Sequence, residues 1–159
     1  MKRKAAKKSC RGLIIVGVVV VLVVGAIFVF ARKQREYNEQ AVALLAQQYG
    51  ETLDAARVEG ALKPREEALY GELGALVKQP GVSLMAAVMA VAILHDAGQN
   101  TERRDEDLTA AQELRDLLAE NAAVGARQLG GIVQRHPYLR EMLEQIQKSP
   151  GEYAREEAK

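Results

Sequence analysis

The longest apolar segment of the chain carries no charged residue from position 12 to position 31. At about 1.5 Å rise per residue, roughly 20 helical residues match the ~30 Å hydrocarbon core of a bilayer. A single segment in lipid must satisfy its backbone polar groups internally, and a helix does so. A chain of 159 residues is too short to surround an all-apolar helix with protein. The pattern therefore predicts a transmembrane helix over residues 13–31.

The flanks of this segment predict an uncleaved signal-anchor and its direction. The apolar part is longer than the ~7–15 residues of a secretory signal, and no small-residue cleavage site precedes a polar start. Six basic residues lie in positions 1–12, whereas Arg32, Lys33 and Arg35 follow the segment. Because the more positive flank tends to stay in the cytoplasm, we expect a cytoplasmic tip over 1–12. In a bacterium the body would then be periplasmic and anchored in the inner membrane.

Beyond the anchor, apolar residues recur at helical spacing and no strand-like alternation occurs. This predicts an all-α domain over residues 32–148, folded as a bundle of four to six helices. A charged tail over 149–159 is expected to be disordered. The helix boundaries are expected at these residues: a break at Glu59 and Gly60, a start at Pro64, a stop at Pro80 and Gly81, a cap at Thr101, a loosening at Gly130 and Gly131, and a last start after His136 and Pro137.

The stretch SLMAAVMAVAILHDAG, residues 83–98, raises competing interpretations. Its apolar part, residues 82–94, would be about 20 Å long as a helix, which is short of a second span. A helix that is apolar on nearly all faces and rich in Ala and Met suits the centre of a bundle. We therefore expect a central helix with Ser83 as N-cap and Gly98 as C-terminal glycine. A half-buried or membrane-lying segment is the alternative.

The end of that stretch, ILHDAG, resembles the apolar-His-Asp-x-Gly signature of HD-domain phosphohydrolases. The resemblance implies that His95 and Asp96 bind a divalent metal, which activates water to hydrolyse a phosphate ester. The chain has no histidine before His95, however, and the only other one is His136. The first ligand of that family's site is therefore missing. We expect no metal and no cofactor, with His95 and Asp96 as the candidates should a metal bind.

Other patterns that carry chemistry are absent from the sequence, including Glu-x-x-His, HExxH, CxxC and the P-loop. The acidic pair Glu66-Glu67 and the acidic run at 105–107 are interpreted as solvated helix starts. Cys10 precedes the anchor and is interpreted as a plain juxtamembrane residue, with acylation as the alternative. The basic tip is expected to set topology and attract anionic lipid rather than bind nucleic acid.

These features predict a non-catalytic, single-span membrane protein whose helical domain is an accessory, scaffolding or assembly subunit of a membrane complex. The expected partners are the lipid bilayer and other proteins of that complex, with a homo-oligomer left open. The predicted contact surfaces are the exposed face of 36–57 and the apolar set of the last helix: Tyr138, Leu139, Met142, Leu143 and Ile146. The alternatives are a degenerate HD-type metal-dependent phosphohydrolase, and a phage-type membrane protein for lysis or DNA passage.

Overall fold

The computed structural model describes the backbone of residues 6–148 and the side chains of residues 30–144. Throughout this described part, the regular structure is helical, which confirms the all-α prediction. The elements are α1 (Ala6–Val58), α2 (Pro64–Val77), α3 (Leu84–Gln99), a 3₁₀ turn (Thr101–Arg103), α4 (Arg104–Glu120), α5 (Ala126–Arg135) and α6 (Tyr138–Lys148). The tail predicted to be disordered, residues 149–159, lies outside the described residues.

The chain divides into two compact units, Met1–Asn38 and Glu39–Lys159. Residues 1–29, with the basic tip, Cys10 and nearly all of the predicted span, lie outside the described side chains. Within the described part of the chain, no helix combines the length and apolar character needed to cross a membrane. In the described part of the first unit, Arg32 Nε lies 3.2 Å from Glu36 Oε1, one turn further along α1.

In the second unit, α2 and α3 begin where the sequence predicts. Pro64 occupies the first position of α2, where its missing N–H leaves no hydrogen bond unmade. Ser83 caps α3, because its Oγ accepts a hydrogen bond from the backbone N–H of Ala86 at 3.4 Å. The turns before these helices contain Gly60 and Gly81, whose φ angles of 65° and 85° are readily adopted by glycine. The predicted breaks at these glycines are confirmed.

The connection between α3 and α4 differs from the prediction. Gly98 lies inside α3, and Asn100 is the C-cap, its backbone N–H donating to the carbonyl of Asp96 at 2.7 Å. The Asn100 side chain also accepts a hydrogen bond from the backbone N–H of Glu102 at 3.2 Å. This contact starts the 3₁₀ turn, so α4 begins at Arg104 and not at Thr101. One asparagine therefore performs both roles that the sequence assigned to Gly98 and Thr101.

The second difference concerns the two adjacent glycines. Gly130 and Gly131 lie within α5, and the break falls instead at residues 121–125. Each glycine costs a helix about 1 kcal/mol relative to alanine. Their neighbours Leu129 and Ile132 are buried, and burying such side chains contributes about 1.5–3 kcal/mol each. Packing therefore outweighs the low helix propensity, and the predicted loosening at this point is wrong.

The centre of the bundle is α3, as predicted for residues 83–98. Its buried residues are Ala86, Ala87, Met89, Ala90, Ala92, Ile93, Leu94, Asp96 and Ala97. It packs against α2, α4, α5 and α6. The small side chains let these neighbours approach closely on several sides. The interpretation of this stretch as a central core helix is confirmed.

The directions of the helices give the bundle two different ends. The backbone N–H of Ser83, before α3, donates to the carbonyl of Ala122, after α4, at 3.3 Å. At the other end of α3, Asp96 contacts Arg103, just before α4. We call the region where α3 ends and α2 and α4 begin the polar end. The region where α3 begins and α2 and α4 end, with Val77, Val82 and Leu118 buried, is the apolar end.

The last turns of α1, within the second unit, pack on α2 through a close approach. The Tyr49 side chain is buried, and its hydroxyl donates to the backbone carbonyl of Tyr70 at 2.8 Å. The ring lies against Gly74, where a Cβ atom would stand 2.8 Å from Tyr49 Cε1. A side chain at position 74 would therefore displace the ring. Glycine is needed here for space and not for backbone conformation.

Candidate functional site: the buried polar cluster

The two metal candidates lie in the last turn of α3 and face different surroundings. Asp96 is buried, and its Oδ1 accepts a hydrogen bond from Arg103 Nη2 at 3.1 Å. His95 is half-buried. Among the described residues, no group of three His, Cys, Asp or Glu side chains is placed to hold a metal ion. Asp96 is therefore engaged by a guanidinium.

The predicted contact set of α6 is divided between the core and its edge. Tyr138 and Leu139 are buried, and Leu139 has no exposed surface. Met142 and Leu143 are half-buried and pack against the core, whereas the Ile146 side chain lies outside those described. The four described side chains of the set therefore pack on the bundle. As a contact surface the set remains a prediction, and Tyr138 and Leu139 could take part only if α6 moved away from the bundle.

The most unusual feature of the described structure is a group of ionisable side chains buried at the polar end. We call it the polar cluster, and its members come from α2, α3, the 3₁₀ turn, α4 and α6: Glu66, Tyr70, Asp96, Arg103, Arg104, Asp107 and Tyr138. All three of its carboxylates, those of Glu66, Asp96 and Asp107, are almost fully buried. A carboxylate is stable in such a place only when it is paired, hydrogen-bonded or protonated.

Glu66 is held by two contacts at the start of α2. Its Oε2 accepts a hydrogen bond from the backbone N–H of Lys63 at 2.7 Å. The same oxygen lies 3.1 Å from Arg104 Nε, at the start of α4. The first contact satisfies a free N–H of the helix N-terminus, and the second joins the starts of two neighbouring helices. Glu66 is therefore paired within the fold.

Asp107 is the most enclosed carboxylate of the cluster, with an exposed fraction of 0%. Its Oδ1 accepts a hydrogen bond from the Tyr138 hydroxyl at 2.5 Å, whereas its Oδ2 is buried without a hydrogen-bond partner. Burial raises the pKa of Asp107 to about 7, although the Tyr138 hydrogen bond opposes the shift. This carboxyl group thus changes protonation state near neutral pH.

Arg103 and the two tyrosines complete the cluster. The Arg103 guanidinium carbon lies 5.1 Å from the centre of the Tyr138 ring, within the range of a cation–π interaction. The Tyr70 hydroxyl is buried without a hydrogen-bond partner, as is the second oxygen of Asp96. Burial, followed by the charge of Asp107, raises the pKa of Tyr70. Both tyrosines therefore remain neutral, and neither adds charge to the cluster.

A second buried ionisable group, His136, lies beside the cluster in the connection between α5 and α6. Its ring makes an edge contact with Tyr138, with the ring centres 6.4 Å apart. Its Nδ1 lies 3.7 Å from Glu106 and its Nε2 lies 3.5 Å from Glu113. Glu113 also accepts a hydrogen bond from Arg135 at 2.8 Å, which lowers the pKa of Glu113. The His136 ring therefore lies between two carboxylates.

Sequence reasoning missed the polar cluster because it assigned the acidic helix starts to solvent. That assignment holds for Asp105, which is exposed, and is wrong for Glu66 and Asp107. One signal was present in the pattern. Asp107 precedes Leu114 by seven residues and so lies on the apolar face of α4. An acidic residue on that face is either buried or at the edge of the core, and the packing of α6 decides which.

Comparisons of the chain with protein families, with curated proteins and with solved structures found no match. Function is therefore inferred from the residues and from their arrangement. The described part of the chain offers a compact helical bundle, a buried polar cluster at one end, and a terminal helix that covers the cluster.

Proposed function

We propose that the chain is a single-span membrane protein whose helical domain is a non-catalytic accessory or assembly subunit of a membrane complex. The observation that carries this proposal is the uncharged segment at 12–31, preceded by six basic residues and followed by a charged helical domain. Such a segment is long enough to cross a bilayer as a helix. The excess of positive charge before it favours a cytoplasmic N-terminus and a domain on the opposite side.

The arrangement of the domain supports an interaction role. Helix α6 carries Met142 and Leu143 at the edge of the core, half-buried on the bundle. Anchoring to a membrane raises the effective concentration of a domain near its partners, so that weak contacts suffice. A small surface with two apolar side chains is adequate for a contact of this kind. We infer that this edge of α6 is the contact surface.

Topology mapping tests the anchor and its direction. Reporter domains that are active only in the cytoplasm or only outside it would be fused after Arg57, Gly98 and Lys159. We expect the three fusions to report the same compartment, opposite to the N-terminus. Cytoplasmic activity of the Arg57 fusion would contradict the orientation. Recovery of the full chain in the aqueous fraction, without detergent, would contradict the anchor.

The contact surface is tested by comparing two substitutions on the same helix. Leu143→Lys places a charge at the edge of the core, whereas Glu141→Lys changes the charge at an exposed position two residues earlier. We expect Leu143→Lys to lose most of the membrane proteins that co-purify with the anchored chain and Glu141→Lys to retain them. Both variants must keep their helical circular dichroism. Equal recovery of partners by the two variants would overturn the choice of α6.

A further inference from the structure

We propose that the docking of α6 on the bundle depends on a single proton held in the polar cluster at Asp107. This inference concerns the described domain and does not rest on the membrane anchor. It makes α6 an element that is closed at mildly acidic pH and opens more often as the pH approaches neutrality.

In the polar cluster, carboxylates outnumber guanidiniums. The cluster contains three buried or nearly buried carboxylates, Glu66, Asp96 and Asp107, and two guanidiniums, from Arg103 and Arg104. Arg104 pairs with Glu66 and Arg103 with Asp96, so Asp107 has no ion pair of its own and only shares the charge of Arg103 with Asp96. Its hydroxyl partner, Tyr138, is neutral. An uncompensated buried charge is costly. Protonation of Asp107 is the simplest way to remove the excess negative charge of the cluster.

Ionisable groups surround Asp107 from each neighbouring element. They are Tyr70 from α2, Asp96 from α3, Arg103 from the 3₁₀ turn, Glu106 from α4 and Tyr138 from α6. Glu66 and Arg104 act on Tyr70, and His136 lies beside Tyr138 and Glu106. Buried oxygens of Asp96 and Asp107, the Tyr70 hydroxyl and the Nε atoms of Arg103 and Arg104 lack hydrogen-bond partners. A protonated carboxyl group can donate to a neighbouring oxygen, and it removes one negative charge from the cluster.

When Asp107 ionises, the element expected to move away from the bundle is α6. Asp107 accepts a hydrogen bond from Tyr138, the first residue of α6. Pro137, immediately before it, is exposed. Movement of α6 would admit water to Asp107, whereas α2, α3 and α4 would remain joined by their contacts with one another. Loss of the proton leaves an ion that water solvates better than the closed site does, so ionisation favours opening of α6.

The direction of the effect follows from linkage between protonation and opening. In the closed form Asp107 holds its proton up to about pH 7, and in the open form it has the lower affinity of an ordinary aspartate. The opening equilibrium therefore rises by up to about tenfold per pH unit between the two pKa values, and it levels off above the higher one. Below pH 4 the proton is present in both forms and opening is rarest.

Amide hydrogen exchange of the full-length chain in detergent tests this proposal. Protection factors, corrected for the intrinsic exchange rate at each pH, would be compared for residues 138–148 of α6 and 110–118 of α4. From pH 5 to pH 7 we expect the protection of α6 to fall by up to about 100-fold, more than that of α4. In Asp107→Asn, which cannot ionise, this fall should be absent. Asp105→Asn, an exposed neighbour on the same helix, should behave as the unmodified chain.

Two further variants keep the result interpretable. Tyr138→Phe removes the hydrogen bond that lowers the pKa of Asp107 in the closed form, so the fall in α6 protection should extend to higher pH before it levels off. His136→Gln removes the imidazole that contacts Tyr138 and should leave the fall in place. The proposal is overturned if the fall persists in Asp107→Asn, or disappears only in His136→Gln. It is equally overturned if α6 protection is independent of pH, rises with pH, or changes together with that of α4.

Discussion

The two ends of the bundle are held together by different kinds of interaction. At the apolar end, Val77, Val82 and Leu118 are buried and the connections are tied by a backbone hydrogen bond from Ser83 to Ala122. At the polar end, the same three helices meet around buried carboxylates and guanidiniums. The strength of apolar packing does not depend on pH, whereas that of a buried carboxylate does. One end of this domain is therefore held by apolar packing, whereas the other contains a buried carboxyl group whose pKa is raised towards neutral pH.

The largest effect is expected at the apolar end. Leu118→Ala removes a buried side chain near the end of α4, and such truncations cost about 2–5 kcal/mol through lost burial and the cavity left behind. We expect the free energy of unfolding to fall by this amount equally at pH 5 and pH 7.5, as measured by denaturant titration of the full chain. A loss that differed between the two pH values would break the distinction between the two ends.

A smaller loss of stability is expected where α1 and α2 approach closely. This loss should depend on steric fit alone. Gly74→Ala places a Cβ atom 2.8 Å from the Tyr49 ring, and overpacking of this kind costs about 1–3 kcal/mol. Gly98→Ala is the matched control, because nothing lies within 4 Å of its added Cβ. We expect the control to stabilise the domain by up to about 1 kcal/mol through higher helix propensity. Equal effects of the two substitutions on thermal unfolding would refute the close approach.

The smallest effect is expected at the surface beside the polar end. Arg135 is exposed and pairs with Glu113 at 2.8 Å. Exposed ion pairs are screened by salt and contribute little. Arg135→Ala should therefore shift the denaturation midpoint least of these variants, and the shift should shrink further in high salt. Because the pairing lowers the pKa of Glu113, its contribution is present at neutral pH and lost as the pH falls through that pKa.

The helices themselves follow from local sequence signals. Pro64, Ser83 and the apolar spacing of residues 83–98 predict helices that the structure contains. Such signals act within one or two turns, so they can be read from neighbouring residues. The C-terminus of α3 was less predictable, since Gly98 and Asn100 are both plausible terminating residues and the contact of Asn100 with Glu102 decides between them.

The polar cluster could not be derived in the same way. An aspartate in the first turn of a helix interacts well with the helix dipole whether it is exposed or buried. The fates of Asp105 and Asp107 differ because Tyr138, 31 residues after Asp107, packs over one of them. Likewise Glu66 is buried because α4 brings Arg104 beside it. These contacts depend on tertiary packing, and a pattern that repeats within a single helix does not contain them.

The central claim is that the polar end carries a proton near neutral pH, and titration of the Asp107 carboxyl carbon by nuclear magnetic resonance tests it most directly. The signal would be assigned by its loss in Asp107→Asn. We predict a midpoint near pH 7, so that ionisation over the interval from about pH 4 to pH 7 costs the folded domain on the order of 4 kcal/mol. Stability from this group is then present at acidic pH and lost as the pH rises to 7. A midpoint near pH 4 would contradict the account.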